Sequence, residues 1–131
     1  MTITLPLPPS TNNLYATVRG RRVLSAKATQ YKRDVGMIIL QSSHRLRLHE
    51  RRYSDQDPFR LTAHIYFKTP RKRDLDGAIK ILQDAIFEAL GRDDRCVDEL
   101  HIYRCIDKEQ PRAVVSVEAI QQPPFVAVYV E

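Results

Sequence analysis

The residues best suited to chemistry lie in segment 71–99, RKRDLDGAIKILQDAIFEALGRDDRCVDE. Three cations come directly before an Asp-Leu-Asp triplet, whose acids are Asp74 and Asp76. In extended backbone, side chains two positions apart project to the same side, so both carboxylates can face one point. The competing interpretation is structural, because an acid at position 76 also suits the N-cap or first turn of a helix. The triplet therefore predicts either a carboxylate pair or a helix start.

Lys80 lies four residues after Asp76 and four before Asp84. This spacing places the three side chains on one stripe of a helix. Such a stripe is commonly an exposed ladder of ion pairs, and for Asp84 and Glu88 we prefer that interpretation. Lys80 stands one turn from the acidic pair, so its position suits a structural and a functional role equally well.

A second acidic pair, Asp93 and Asp94, follows the predicted helix. On local grounds this pair suits a solvated turn. A helix of about 15 residues separates its ends by roughly 22 Å, so only the following strand can carry one of these carboxylates back toward the first pair. The spacing alone leaves both interpretations open.

Charge is unevenly distributed along the chain, whose net charge is +5. Residues 1–52 carry ten Lys and Arg against two acids, whereas residues 74–99 carry eight acids against three bases. A basic half attracts polyanions, but clustered carboxylates repel phosphate. Mg²⁺ resolves this conflict, because it binds a few carboxylate oxygens, retains water and shares its coordination with a substrate phosphate. The pattern favours a metal-dependent phosphodiester site over a plain binding surface.

Hydrophobic periodicity predicts a single mixed α+β domain over residues 1–131, with two main helices and a mixed sheet of four or five strands. Residues 2–7 alternate as a strand, and Ser25 suits the N-cap of a first helix that reaches about residue 45. A half-buried strand is predicted over residues 60–68.

The second helix is predicted from Asp76 or Gly77 to Leu90, with Gly91 as its C-cap. After it, VDELHIYRCI and AVVSVEAI are strand-like runs that suggest a hairpin.

Other segments indicate connections and edges rather than helices. RGRR at 19–22 suits a basic turn, RLRLHERR a cationic loop, DQDP a turn and FVAVYVE a final strand.

Several functional classes are disfavoured. The N-terminus, MTITLPLPPS, has no cationic and apolar signal regions, and no run approaches the roughly 18 apolar residues of a membrane span. We therefore expect a cytoplasmic protein with no membrane partner. Cys96 and Cys105 form no CxxC motif and are interpreted as reduced and structural.

Two blocks of the chain resemble the RusA family of Holliday-junction resolvases, small endonucleases of bacteria and their prophages. The first block is LPLPPSTNNLY with RGRRVLSAKATQY, and the second is RKRDLDGAIKILQDAI followed by DDRCVDE. In that family Asn commonly follows the DLD acids, whereas this chain has Gly77.

The resemblance implies an active site formed by Asp74, Asp76, Asp94 and Lys80, with the three aspartates holding Mg²⁺. It also implies a RusA-like endonuclease domain, an intertwined homodimer and paired nicks across four-way DNA junctions. The expected location is the bacterial cytoplasm, with a prophage as one source of the gene.

The basic residues are interpreted as contacts to branched DNA. The committed candidates are Arg19, Arg21, Arg22, Lys27, Arg71, Lys72 and Arg73, and Arg45, Arg47, Arg51 and Arg52 extend the same basic half. Two other classes stay open on sequence grounds, namely a non-catalytic DNA- or RNA-binding module and a protein-interaction domain.

Overall fold

A computed structural model of the chain describes residues 2–10, 13, 15–42, 58–71, 73–92 and 94–120, with only the backbone of Asp94. The elements in chain order are β1 (Thr2–Leu5), β2 (Tyr15–Val18), β3 (Arg21–Leu24), α1 (Ala26–Leu40), β4 (Phe59–Phe67), α2 (Leu75–Leu90), a 3-10 helix (Asp94–Cys96), β5 (Val97–Ile106) and β6 (Arg112–Ala119). The predicted fold class is confirmed, since two helices accompany a mixed four-stranded sheet and a separate two-stranded sheet.

The main sheet has the strand order β1-β6-β4-β5. β4 pairs in parallel with β5 and antiparallel with β6, and β1 pairs antiparallel with β6. The predicted hairpin between the last two strands is therefore wrong, because β4 lies between β5 and β6. Both runs are strands, but sequence periodicity carries no information about which neighbour each one takes.

Asp107 builds the connection that makes this arrangement possible. Its backbone N–H donates to the Phe67 carbonyl at 2.8 Å, so the chain leaves β5 across the end of β4. Its carboxylate accepts from the backbone N–H groups of Glu109 and Gln110 and from Arg112 Nη1 at 2.7 Å. The hydrogen bond from Arg112 is the main cause that lowers the pKa of Asp107. The short segment after β5 thus turns back as β6 on the far side of β4.

β4 is the central strand and has the predicted alternation. Its odd-numbered side chains are buried, while the even-numbered ones are partly exposed. The buried side chains of β4, α1, α2, β1 and β6 form one core, and the largest members are Phe59, Phe67, Phe87, Leu5, Ile39, Leu61 and Ile65. Two helices therefore cover one face of the sheet, which fixes where the ends of α2 lie.

Helix α1 begins as predicted, because the Ser25 side chain accepts a hydrogen bond from Ala28 N at 3.1 Å. It ends at Leu40, earlier than the predicted residue 45. Beyond it, Ser42 N donates to Ile39 O in a tighter turn of the kind that closes helices.

The basic segment 19–22 is more than a turn. β2 and β3 pair as a hairpin whose two loop residues, Arg19 and Gly20, have φ of 52° and 75°. Two consecutive positive φ angles are typical of the turn that matches the twist of antiparallel strands. Arg21 and Arg22 therefore lie on β3. Sequence patterning missed this hairpin because its side chains are mostly exposed on both faces.

Three predicted segments lie outside the described residues: the loop RLRLHERR, the DQD of the turn DQDP and the strand FVAVYVE. In the part that is described, no helix is long and apolar enough to cross a membrane.

Candidate active site at the start of helix α2

The Asp-Leu-Asp triplet forms the N-terminus of α2. Asp74 is the N-cap, and its Oδ1 accepts a hydrogen bond from Asp76 N at 3.1 Å. Asp76 lies in the first turn, so the prediction that both residues are extended and that Asp76 is the cap is wrong by one element boundary. Both side chains are exposed at the positive end of the helix dipole. The geometry still presents two neighbouring carboxylates to solvent.

Arg73, the residue before this pair, is held in contacts within the protein. Its Nη2 donates to the Pro8 carbonyl at 3.1 Å, and its guanidinium lies 4.9 Å from the centre of the Phe67 ring. Partial burial lowers its pKa, although a guanidinium remains charged at neutral pH. Arg73 therefore fastens the start of α2 to the N-terminal segment, a role that its prediction as a DNA contact did not include.

Arg104 is a residue of this site that sequence reasoning missed. Its Nη2 donates to the Arg73 carbonyl at 2.6 Å, although the two residues belong to distant segments. The contact depends on the parallel pairing of β5 with β4, which aligns Arg104 with Ile65. No local pattern in the sequence could have found it.

The N-terminal segment is fixed from its other side by α1. The Tyr31 hydroxyl donates to the Pro6 carbonyl at 2.8 Å, and burial raises the pKa of that hydroxyl. Pro6 and Pro8 belong to the first of the two resembling blocks and Arg73 to the second. The two blocks therefore meet at the start of α2.

Lys80 is exposed and lies one turn beyond Asp76. The predicted ladder of ion pairs along this stripe is wrong, because no ion pair links Lys80 to Asp76 or Asp84, all three being described residues. Glu88 instead pairs with Lys32 of α1 at 2.5 Å. The Lys80 ammonium is thus not neutralised by either neighbouring acid of its own helix.

Asp94 lies at the opposite end of the sheet. Arg73 contacts the ring of Phe67 at the end of β4, whereas Arg92 lies 5.4 Å from the centre of the Phe59 ring at its start. β4 spans roughly 26 Å between these two rings. The 3-10 helix that begins at Asp94 leads into Val97, which pairs with Phe59. We call these ends of the sheet the Phe67 end, which carries Asp74 and Asp76, and the Phe59 end, which carries Asp94.

The described side chains contain no group of three or more His, Cys, Asp or Glu that could hold a metal ion. Asp74 and Asp76 alone fit part of a Mg²⁺ site, because Mg²⁺ in phosphoryl chemistry is commonly held by one or two carboxylates, water and substrate phosphate. Within one chain, the separation of the two ends excludes Asp94 from that group.

The predicted DNA contacts occupy exposed positions. Arg19, Arg21 and Arg22 lie on the β2–β3 hairpin, with the Arg22 guanidinium 4.4 Å from the centre of the Tyr15 ring. Lys27 is exposed in the first turn of α1, and Arg71 is exposed before Asp74. Lys72 and Asp93 lie outside the described residues.

An α+β domain that exposes paired acids beside a basic hairpin defines a class of protein suited to phosphodiester chemistry. The model of the family described as Endodeoxyribonuclease RusA matches residues 6–118. The chain belongs to that family, which confirms the resemblance.

Individual relatives agree with this assignment. The chain is 33% identical over 106 residues to a crossover junction endodeoxyribonuclease RusA of Enterobacteria phage 82, covering 79% of each chain. It is 32% identical over 106 residues to the proteins of that name from Escherichia coli strain K12 and Shigella sonnei, again covering 79% of each chain.

Proposed function

We propose that the chain is a metal-dependent endodeoxyribonuclease that resolves four-way DNA junctions by paired, symmetric nicks. The observation that carries the proposal is the exposed carboxylate pair of Asp74 and Asp76, held in place at the point where the two family blocks meet. The relatives are named for cleavage of crossover junctions, which supplies the substrate class.

Asp74, Asp76 and Asp94 are proposed to hold Mg²⁺. When bound, Mg²⁺ would polarise a phosphoryl oxygen and lower the pKa of a water molecule for attack on phosphorus. The chain's own contribution is orientation, since Asp74 is fixed by its hydrogen bond to Asp76 N and by the anchored backbone of Arg73. Lys80, one turn further along the same helix, is placed to stabilise negative charge on the scissile phosphate.

Under this proposal each complete site needs two protomers. Asp94 lies roughly 26 Å from Asp74 and Asp76 within one chain, because β4 separates them along its length. A homodimer with two-fold symmetry can bring the Phe59 end of one protomer to the Phe67 end of the other. It would then contain two identical sites, which suits a junction with two equivalent strands to cut.

The exposed cations would provide the phosphate contacts. Arg19, Arg21, Arg22, Lys27 and Arg71 are solvent-accessible. Contacts of this kind release counterions, so junction binding should weaken steeply as salt rises.

The test is cleavage of a labelled four-way junction in Mg²⁺ by the wild-type protein and by Asp76→Asn. Loss of one metal carboxylate should reduce cleavage by a factor on the order of 10²–10³ or more. Junction binding, measured without Mg²⁺ by electrophoretic shift, should persist because repulsion of phosphate falls.

Asp84→Asn is the matched control, since Asp84 lies on the same helix two turns further along. It should cleave at the wild-type rate. Retained cleavage by Asp76→Asn would contradict the metal assignment, and absence of nicking by the wild-type protein would favour a non-catalytic nucleic-acid-binding module instead.

A further inference from the structure

The outer edge of β5 is exposed. β5 is the last strand in the order β1-β6-β4-β5, and no strand of the described chain pairs with its outer side. Leu100, Tyr103 and Ile106 of this strand have 42%, 48% and 53% of their surface exposed. Proteins usually protect long edge strands, because free N–H and C=O groups beside apolar side chains recruit another strand.

We propose that this edge binds a second copy of the chain, with the two β5 strands pairing antiparallel across a two-fold axis near His101. This inference rests on the shared site of the proposed function and adds the surface that would form it. The product is one continuous sheet with four strands from each protomer.

The first argument comes from the two ends of β5. Its start follows Asp94 through the 3-10 helix, at the Phe59 end. Its other end carries Arg104, whose Nη2 contacts the Arg73 carbonyl next to Asp74. Antiparallel pairing places the start of one β5 beside the end of the other. Asp94 of one protomer is thereby brought to the end of the sheet that carries the acidic pair of the partner.

The second argument is that the edge is complementary to itself. With the axis at His101, Leu100 lies opposite the partner's Ile102, which joins two apolar side chains. Asp98 lies opposite the partner's Arg104, which joins an exposed acid to an exposed base. By symmetry each pair occurs twice. Cross-strand pairs of these two kinds stabilise a sheet, whereas like charges placed opposite each other destabilise it.

The shape of the strand permits this pairing. The one register shift between β4 and β5 occurs between Phe59 and Arg60, where Asp98 is the extra residue. From Glu99 to Ile106 the register is regular. A two-fold axis perpendicular to the sheet also keeps both pairs of helices on the same face, so α2 of each protomer stays on the side of the shared sites.

Charge reversal at the predicted pair tests the interface. Asp98→Arg places two arginines opposite each other twice per dimer, and Arg104→Asp does the same with two aspartates. Each single variant should raise the dimer dissociation constant at least tenfold, about 1.4 kcal/mol, as measured by sedimentation velocity over a protein dilution series. The double variant restores opposite charges and should return that constant to within about threefold of wild type.

Asp34→Arg is the matched control, because Asp34 is an exposed acid on α1 away from the β5 edge, and it should leave the dissociation constant unchanged. Circular dichroism and thermal melting identify any variant that fails to fold. In that case the Leu100→Lys variant, which places two cations in the apolar part of the same edge, gives a second measurement of dimer loss.

The outcomes separate this inference from the proposed function. If single variants remain as dimeric as wild type, or if the double variant does not recover, the β5 edge is not the interface, while junction cleavage by the wild-type protein still stands. If Asp98→Arg is monomeric and cleaves junctions at the wild-type rate, both the interface and the shared site are overturned. A monomeric Asp98→Arg that cannot cleave, with recovered dimerisation in the double variant, supports the inference.

Discussion

The two ends of α2 are built differently, although both carry aspartates. At the N-terminal end, Asp74 caps the helix, Arg73 binds the Pro8 carbonyl and Arg104 binds the Arg73 carbonyl. At the C-terminal end the helix closes on Gly91, and the chain passes through a 3-10 helix directly into β5. One end is fastened by three separate segments, and the other is a connection between two elements.

This difference shows that the acidic segment 74–99 is two groups of acids rather than one. The sequence places them close together, but a helix that packs along β4 carries them to opposite ends of the sheet. The fastened end suits a group that must be held still, as metal ligands are. The other end suits a group that is delivered to a neighbouring protomer.

Arg73 offers the largest expected effect at the fastened end. Arg73→Lys keeps the charge but loses the geometry that lets one guanidinium bind Pro8 O and lie over the Phe67 ring. Because a small displacement of catalytic groups is costly, cleavage of a four-way junction should fall roughly tenfold or more. Junction affinity and its salt dependence should change little.

Arg71→Lys is the control for Arg73→Lys, since Arg71 is exposed and only two residues away. It should retain both cleavage and binding. If Arg73→Lys instead cleaves normally while Arg73→Ala loses affinity and salt dependence, Arg73 is a phosphate contact and the anchoring role is wrong.

The other end of α2 should respond in stability rather than in site geometry. Gly91 has φ of 69°, and its N–H and that of Arg92 close the helix on Glu88 and Phe87. Gly91→Ala forces a side chain into the left-handed region and should lower the free energy of unfolding by about 1 kcal/mol, measured by urea denaturation.

Gly36 provides the opposite control for that substitution. It lies inside α1, and a Cβ placed there meets nothing within 4 Å. Gly36→Ala should therefore raise the free energy of unfolding by up to about 1 kcal/mol. Equal effects at the two glycines would contradict the helix-capping role of Gly91.

Local chemistry in the sequence was sufficient to predict several elements. Ser25 as N-cap, the alternation along β4 and the end of α2 at Gly91 all follow from patterns of a few residues. The carboxylate pair was found in the same way, although the cap is Asp74 rather than Asp76.

The missed features all depend on contacts between distant segments. The order of β4, β5 and β6, the hydrogen bond of Arg104 and the position of Asp94 are set by the way elements pack, which periodicity does not encode. The β2–β3 hairpin escaped for another reason, since exposed strands lack the apolar alternation that reveals buried ones.

Mixed dimers test most directly whether Asp94 completes a site on the partner. Asp76→Asn and Asp94→Asn should each be inactive alone, but after subunit exchange a mixed dimer contains one intact site and one doubly altered site. Random exchange should restore nicking of one junction strand to about a quarter of the wild-type rate, because about half of the dimers are mixed and one of their two sites is whole. Absence of any restored nicking, with exchange verified by native mass spectrometry, would contradict the shared site.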